Sequence, residues 1–194
     1  MQKDIITIPN GGIATKNKKD LEMEEQVVLV NEKDEVLGLM GKMEAHEKGI
    51  LHQAISIVLF NSKGEMLLQQ RASAKYHWAD IWSNTVCTHP RENETHQAAA
   101  ERRLVEELGF STELKEVFSF IYKAHDDESG LIEHEYDHVF IGEYNGKIPF
   151  NTDEVKDVEW IGVSELLADV ALEPEKYSFW FKIILEEMKT RKLI

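Results

Sequence analysis

The stretch Thr95–Leu108, THQAAAERRLVEEL, constrains the fold more than any other part of the chain. It is built from good helix formers, Asn93 or Thr95 can cap its start, and Gly109 supplies the stop. A helix is expected here. Ala98, Ala99, Arg102, Val105 and Glu106 do not make a uniform apolar stripe, so carboxylates interrupt one face. That face is therefore read for chemistry as well as for packing.

Strands are expected around this helix. Gln26–Asn31 and Val36–Met40 flank the turn at residues 32–35, and Ala54–Phe60 is joined to Met66–Gln70 through residues 61–64 as a hairpin. A polar loop carrying Trp78 and Trp82 follows. Val117–Lys123, Leu131–Glu143 and Val158–Gly162 read as further strands, and Val163–Val170 and Tyr177–Leu193 as helices. The last is amphipathic around Trp180, Phe181, Ile184 and Met188. In Leu131–Glu143, period-two alternation puts Glu133, Glu135 and Asp137 on one side, with His134, Tyr136 and His138 on the other. Strands and helices mix without regular alternation, which predicts an α+β fold. No repeat or linker divides the chain. One domain over residues 24–194 is expected, preceded by a flexible extension over 1–23.

Composition removes several classes of function. With 42% apolar residues the chain can build a core rather than remain a disordered acidic tail. Its 36 acidic residues against 22 basic ones leave a net charge of −14, which argues against a nucleic-acid-binding surface but not against a small anionic ligand. Cys87 is the single cysteine, so no intramolecular disulfide can form. The longest apolar runs, such as Ala54–Phe60, are far short of the roughly 20 residues a membrane-spanning helix needs. Residues 1–20 lack the apolar core of a secretory signal, and a cytoplasmic location is expected.

The segment Thr88–Phe110, THPRENETHQAAAERRLVEELGF, resembles the Nudix box. Glu94, Arg102, Leu104, Glu106, Glu107, Gly109 and Phe110 fall in register; Thr88 replaces the leading glycine of the pattern, and Arg103 replaces the glutamate after Arg102. In the hydrolases of that superfamily, consecutive glutamates of the box collect the Mg2+ that activates water. Arg103 removes one such ligand and adds a positive charge. The flanking sequence is similar to the type 1 isopentenyl diphosphate isomerases, which are built on the Nudix fold, a mixed β-sheet sandwiched by helices. The resemblance runs from about Glu24 to the C-terminus and rests on the pair His46 and His52, QQRASAK (Gln69–Lys75), WSNTVCTHP (Trp82–Pro90), EHEYDHVF (Glu133–Phe140) and YSFWF (Tyr177–Phe181). Only five residues separate His46 from His52, one fewer than the family pattern leads one to expect.

The resemblance implies a role for each matching position. Cys87 is the catalytic thiol and Glu135 the opposing acid/base. His46, His52, His89, Glu133 and Glu135 ligate one divalent metal, which is Mn2+, Mg2+ or Zn2+, and Glu107 holds a Mg2+ that bridges the substrate diphosphate. Lys42, Arg71, Lys75 and Arg103 contact that diphosphate. Tyr122 hydrogen-bonds near the acid/base pair, and Trp180 lays its π face beside a carbocation. The reaction implied is reversible interconversion of isopentenyl and dimethylallyl diphosphate, through protonation to a tertiary cation and loss of a proton, in isoprenoid biosynthesis. The expected partner is a small diphosphate, not nucleic acid or membrane; the sequence leaves the oligomeric state open.

The residue types agree with these roles on their own chemistry. Three imidazoles and two carboxylates are a mixed donor set, unlike the thiolate tetrahedron of a structural zinc site. Glu133 and Glu135, two apart on a strand, point the same way and can share an ion. Arg103 and Glu107, four apart on a helix, can act together. His77, His96, His125, His134 and His138 are read as ordinary imidazoles. Two rival readings remain at this point: a Nudix diphosphohydrolase of a nucleotide or other diphosphate, and a non-catalytic diphosphate-binding Nudix module.

Overall fold

The structure, a computed structural model, describes residues 25–75, 78–127 and 129–194. The extension expected over 1–23, together with His77, lies outside the described residues. Among the described residues nine strands join in one sheet, with four helices around it. In chain order they are β1 (Gln26–Val30), β2 (Val36–Gly41), α1 (Lys42–Lys48), β3 (His52–Phe60), β4 (Glu65–Arg71), β5 (Trp82–Ser83), β6 (Val86–Thr88), α2 (His96–Leu108), β7 (Leu114–His125), β8 (Ile132–Glu143), β9 (Val155–Gly162), α3 (Val163–Leu172) and α4 (Phe179–Thr190).

The sheet is mixed because β3 runs parallel to β8, from His52 opposite Glu135 to Phe60 opposite Glu143, while β8 pairs antiparallel with β7. The expected hairpin of β3 and β4 exists only at its base, where Phe60 faces Met66. Beyond that point the strands part: β4 pairs with β9 and β5, and β3 takes β6 as its neighbour. Side chains of the segment between β5 and β6 fill the fork. Thr85 Oγ1 accepts from the Leu59 amide at 2.9 Å and donates to the Leu67 carbonyl at 2.8 Å. Asn84 Nδ2 donates to the carbonyls of Ile57 and Val86. Backbone groups that diverging strands would leave unpaired in the interior are thereby satisfied.

Alternation along β3 divides the interior in two. Ile55, Ile57 and Leu59 pack with Leu67 and Phe140 against Ala99, Ala100, Leu104 and Leu108 of α2. Val58, Met66, Leu68 and Val139 face α3 and α4 through Leu166, Phe181, Ile184 and Met188. Helices thus cover both faces, as the α+β reading requires. The buried stripe of α2 comprises Ala99, Ala100, Leu104, Glu107 and Leu108, a regular 3.6-residue pattern offset from the face read in the sequence, and Val105 is half exposed. Thr95, not Asn93, caps the helix by accepting from the Ala98 amide.

Helix α1 is too short and too polar for periodicity to reveal it. It buries only Ala45 and His46 and ends at Gly49 in the left-handed region (φ 60°). The short strands β5 and β6 also escape a periodic reading. They are edge pieces defined by what they pair with.

Candidate active site

Helix α1 and strands β3, β6 and β8 converge on one cluster of imidazoles and carboxylates. His46 comes from α1, His52 from the start of β3, His89 from just after β6, and Glu133 and Glu135 from β8. The rings of His46, His52 and His89 stand 4.9–5.7 Å apart. Ligand atoms of these three residues and of Glu135 lie within 4.8 Å of one another. Glu133 stands beside this group, its Oε2 3.1 Å from His46 Nε2. The short spacing between His46 and His52 does not separate them, because the left-handed turn at Gly49 folds the chain straight back into β3.

Hydrogen bonds at the far side of two rings fix their use. Nδ1 of His46 donates to the Lys42 carbonyl at 2.7 Å, and Nδ1 of His52 donates to the Ile50 carbonyl at 2.8 Å. Nε2 of each ring is thereby left with its lone pair turned inward. For His46 that atom meets the Glu133 carboxylate, an arrangement that needs a proton or a metal ion between nitrogen and oxygen. For His52 the buried Nε2 has no hydrogen-bond partner, and Glu135 Oε1 at 3.6 Å is too far to serve. An orphaned inward nitrogen beside carboxylates is the donor chemistry of a divalent-cation site. His89 Nε2 lies 2.8 Å from Glu135 Oε1, and burial pushes the His89 imidazole down to about 4, so it remains neutral. Burial opposes charge on Glu135 as well, yet the His52 and His89 rings beside it hold its carboxyl well below the usual carboxylate range. Tyr122 of β7 donates to Glu135 Oε2 at 2.6 Å, and burial raises its phenol well above the ordinary value.

Cys87 in β6 lines the same cavity as Glu135. Asn84, held by the two backbone carbonyls in the fork, turns Oδ1 toward the sulfur, and the thiol donates to it at 3.0 Å. Trp180 of α4 donates its indole N–H to the sulfur at 2.9 Å. Burial pushes the Cys87 thiol up to about 12, in agreement with a sulfur that carries a proton toward Asn84. Trp180 also stacks under the Arg71 guanidinium, 5.4 Å from its ring centroid. The thiol is thus a half-buried, protonated group with a fixed direction.

Lys42, Arg71, Lys75 and Arg103 all line this cavity. Lys42 pairs with Glu25 at 3.0 Å, Lys75 with Glu154, and Arg103 with Glu107 at 2.7 Å and Glu154 at 3.3 Å. Arg71 donates Nε to the Trp78 carbonyl at 2.8 Å. Glu107 itself is buried behind Arg103. Burial pushes its carboxyl up while the Arg103 guanidinium pulls it down.

The other positions of the motif are architectural. Arg102 grips Glu94 with two bonds of 2.7 Å, fastening the preceding loop to α2; one of the two nitrogens, Nη2, also reaches the His89 carbonyl at 3.5 Å, and the third, Nη1, donates to Glu106 at 3.1 Å. Leu104 is fully buried in the core against the sheet, and Gly109 (φ 74°) ends the helix where a Cβ would meet the Pro149 carbonyl at 2.8 Å. Phe110 stacks on Tyr144.

Residues 50–181 match the model of the NUDIX domain family. Relatives resemble the chain over most of their length. The Isopentenyl-diphosphate Delta-isomerase 2 of Aromatoleum aromaticum is 51% identical over 86% of this chain and 87% of that one. The Isopentenyl-diphosphate Delta-isomerase 2 of Photorhabdus laumondii is 48% identical over 84% and 92%. The chain belongs to the isopentenyl-diphosphate Delta-isomerase family. Its Nudix fold is matched by the DR0079 protein of Deinococcus radiodurans, with a TM-score of 0.64 and 23% identity over 76% of this chain and 90% of that one.

As a member of the isopentenyl-diphosphate Delta-isomerase family, the chain gathers every site residue expected from its sequence around one cavity or directly behind it. Ser83, Asn84, Ser56, Asp137 and Glu154 were not among them. Ser56 donates to Asp137 at 2.8 Å, Ser83 lies 3.6 Å from the Cys87 sulfur, and Glu154 neutralises two cavity cations. Ser83 and Asn84 sit in the WSNTVC segment, and Asp137 shares the Glu133 and Glu135 side of its strand, so both signals were present. Glu154, in a loop before β9, carried none.

Proposed function

We propose that this chain interconverts isopentenyl diphosphate and dimethylallyl diphosphate by moving a proton onto one allylic carbon and another off the other. One observation carries this reading: a directed Cys87 thiol and the Glu135 carboxylate, from distant segments, line the same cavity. An alkene is a very weak base, so the donor must be held against it and water kept away. Cys87 is fixed by Asn84 and Trp180, and Glu135 by Tyr122 and the imidazoles. Between them they give and take the two protons. The Trp180 ring, the Tyr122 oxygen and the Glu135 carboxylate supply π-rich and negative neighbours to the tertiary cation.

The diphosphate is taken up by exchange. Lys42, Lys75 and Arg103 release the carboxylates that neutralise them and accept phosphate oxygens, with Arg71 beside them. His46, His52, His89, Glu133 and Glu135 fit one divalent metal, which we assign as Mn2+, Mg2+ or Zn2+. Glu107 would hold a Mg2+, which would supply positive charge for the anionic substrate. Bound there, such metals would supply Lewis-acid charge, and these side chains would hold them.

A diphosphohydrolase would need a carboxylate where Arg103 stands. Incubating the protein with labelled isopentenyl diphosphate and Mg2+ tests the reading. The expected outcome is an acid-labile allylic product without phosphate release, and inactivation by thiol alkylation. Phosphate release that persists after Cys87 is alkylated would establish the hydrolase instead.

A further inference from the structure

A second group of metal-type side chains lies on the opposite face of β8. His138 follows Glu135 by three residues and therefore points away from the catalytic cavity, toward the start of α2. Its Nε2 lies 3.1 Å from Asp34 Oδ2, in the turn between β1 and β2. Its Nδ1 lies 2.8 Å from Glu116 Oε1 on β7. The ring of His96, the first residue of α2, is 3.7 Å from that of His138. One ligand atom from each of Asp34, His96 and His138 lies within 4.8 Å of the others.

We propose that Asp34, His96 and His138 form a further divalent-metal site, of Zn2+ type, separate from the catalytic cluster and from Glu107. Two imidazoles and one carboxylate suit Zn2+ better than Mg2+ or Ca2+, and three protein ligands leave the fourth position for water. Ligand atoms around a tetrahedral Zn2+ at ~2.0–2.1 Å stand about 3.3 Å apart. The separation of His138 Nε2 from Asp34 Oδ2 is already near that value. The surroundings complete the pattern. Glu116 takes the far nitrogen of His138, as an outer carboxylate does for a ligating imidazole. Gln53 donates to Asp34 Oδ1 at 2.8 Å, holding the carboxylate so that Oδ2 faces His138. His138 is 6% exposed and is anchored by β8, so the site is built on the sheet. A cation there ties the β1–β2 turn, the first residue of α2 and β8 together.

Counting Zn2+ bound to the full chain tests the proposal. Protein stripped with a chelator is dialysed against Zn2+, alongside His96→Ala, Asp34→Asn and, for the catalytic cluster, His46→Ala. His96 is partly exposed and Asp34→Asn keeps its shape, so neither change removes core packing. The expected result is one equivalent of Zn2+ lost in His96→Ala and in Asp34→Asn, and that same equivalent kept in His46→Ala. The full complement of Zn2+ in both His96→Ala and Asp34→Asn would overturn it, whatever the isomerase assay shows.

Discussion

The sulfur of Cys87 has one acceptor and one donor, and each can be removed separately. Trp180→Phe keeps the ring but deletes the N–H that meets the sulfur at 2.9 Å. One hydrogen bond of this kind is worth about 1.4 kcal/mol, so a fall of roughly tenfold in kcat is expected, beside a lower melting temperature from the void the smaller ring leaves in the core. Steady-state kinetics and a thermal melt read the two separately. Cys87→Ala and Glu135→Gln delete the proposed proton carriers themselves, and a loss of at least ~10²-fold in kcat is expected for each. Near-normal turnover in either variant would remove that residue from the chemistry. At this scale much was legible in the sequence, because a residue's type and its neighbours in the motif already state its capacity for chemistry. The pairing of Lys42 with Glu25 and of Lys75 with Glu154 was not. Glu25 lies seventeen residues before Lys42, and Glu154 seventy-nine after Lys75, so folding alone brings them together.

Helix α2 carries its motif in two registers, and the two predict different losses. Glu94 and Arg102 serve the architecture. The Arg102 guanidinium holds the Glu94 carboxyl below its ordinary value near 4.5. A lowered carboxyl stabilises the fold while charged, fully above pH 4.5, and loses that contribution as pH falls through its folded value. The stability gap between the native chain and Glu94→Gln should therefore be widest near neutrality and close on acidification, as urea melts at several pH values would show. Gly109→Ala forces a Cβ against the Pro149 carbonyl at positive φ, and a cost of about 1–3 kcal/mol is expected in the same melts. The helix was readable from its propensities and its Gly109 stop. Its buried face was not assigned from the sequence: Glu107 is buried as if apolar, and a periodicity count cannot anticipate a carboxylate that exchanges water for a guanidinium.

At the scale of the molecule, the cavity exists because β3 and β4 part and the segment between β5 and β6 enters the gap. Sequence patterning foresaw a simple hairpin there, since alternation reports which residues are strand-like but not which strand each one pairs with. The imidazole cluster gathers four separate elements, so removing a cation held there should loosen more than the site. Chelation is expected to lower both activity and melting temperature, and His52→Ala should show the lower melting temperature with or without chelator. The long parallel pairing of β3 with β8 has a consequence in time. His52 faces Glu135, eighty-three residues further along. At a synthesis rate of ~5–20 residues per second, β3 waits roughly 4–17 s after it is made for the strand that completes it. During that interval the imidazoles of the cluster are made without its carboxylates, and an apolar strand edge stays open to the surrounding solution. The carboxylates of the cluster and the strand that closes this edge therefore arrive together, with the translation of residues 132–143.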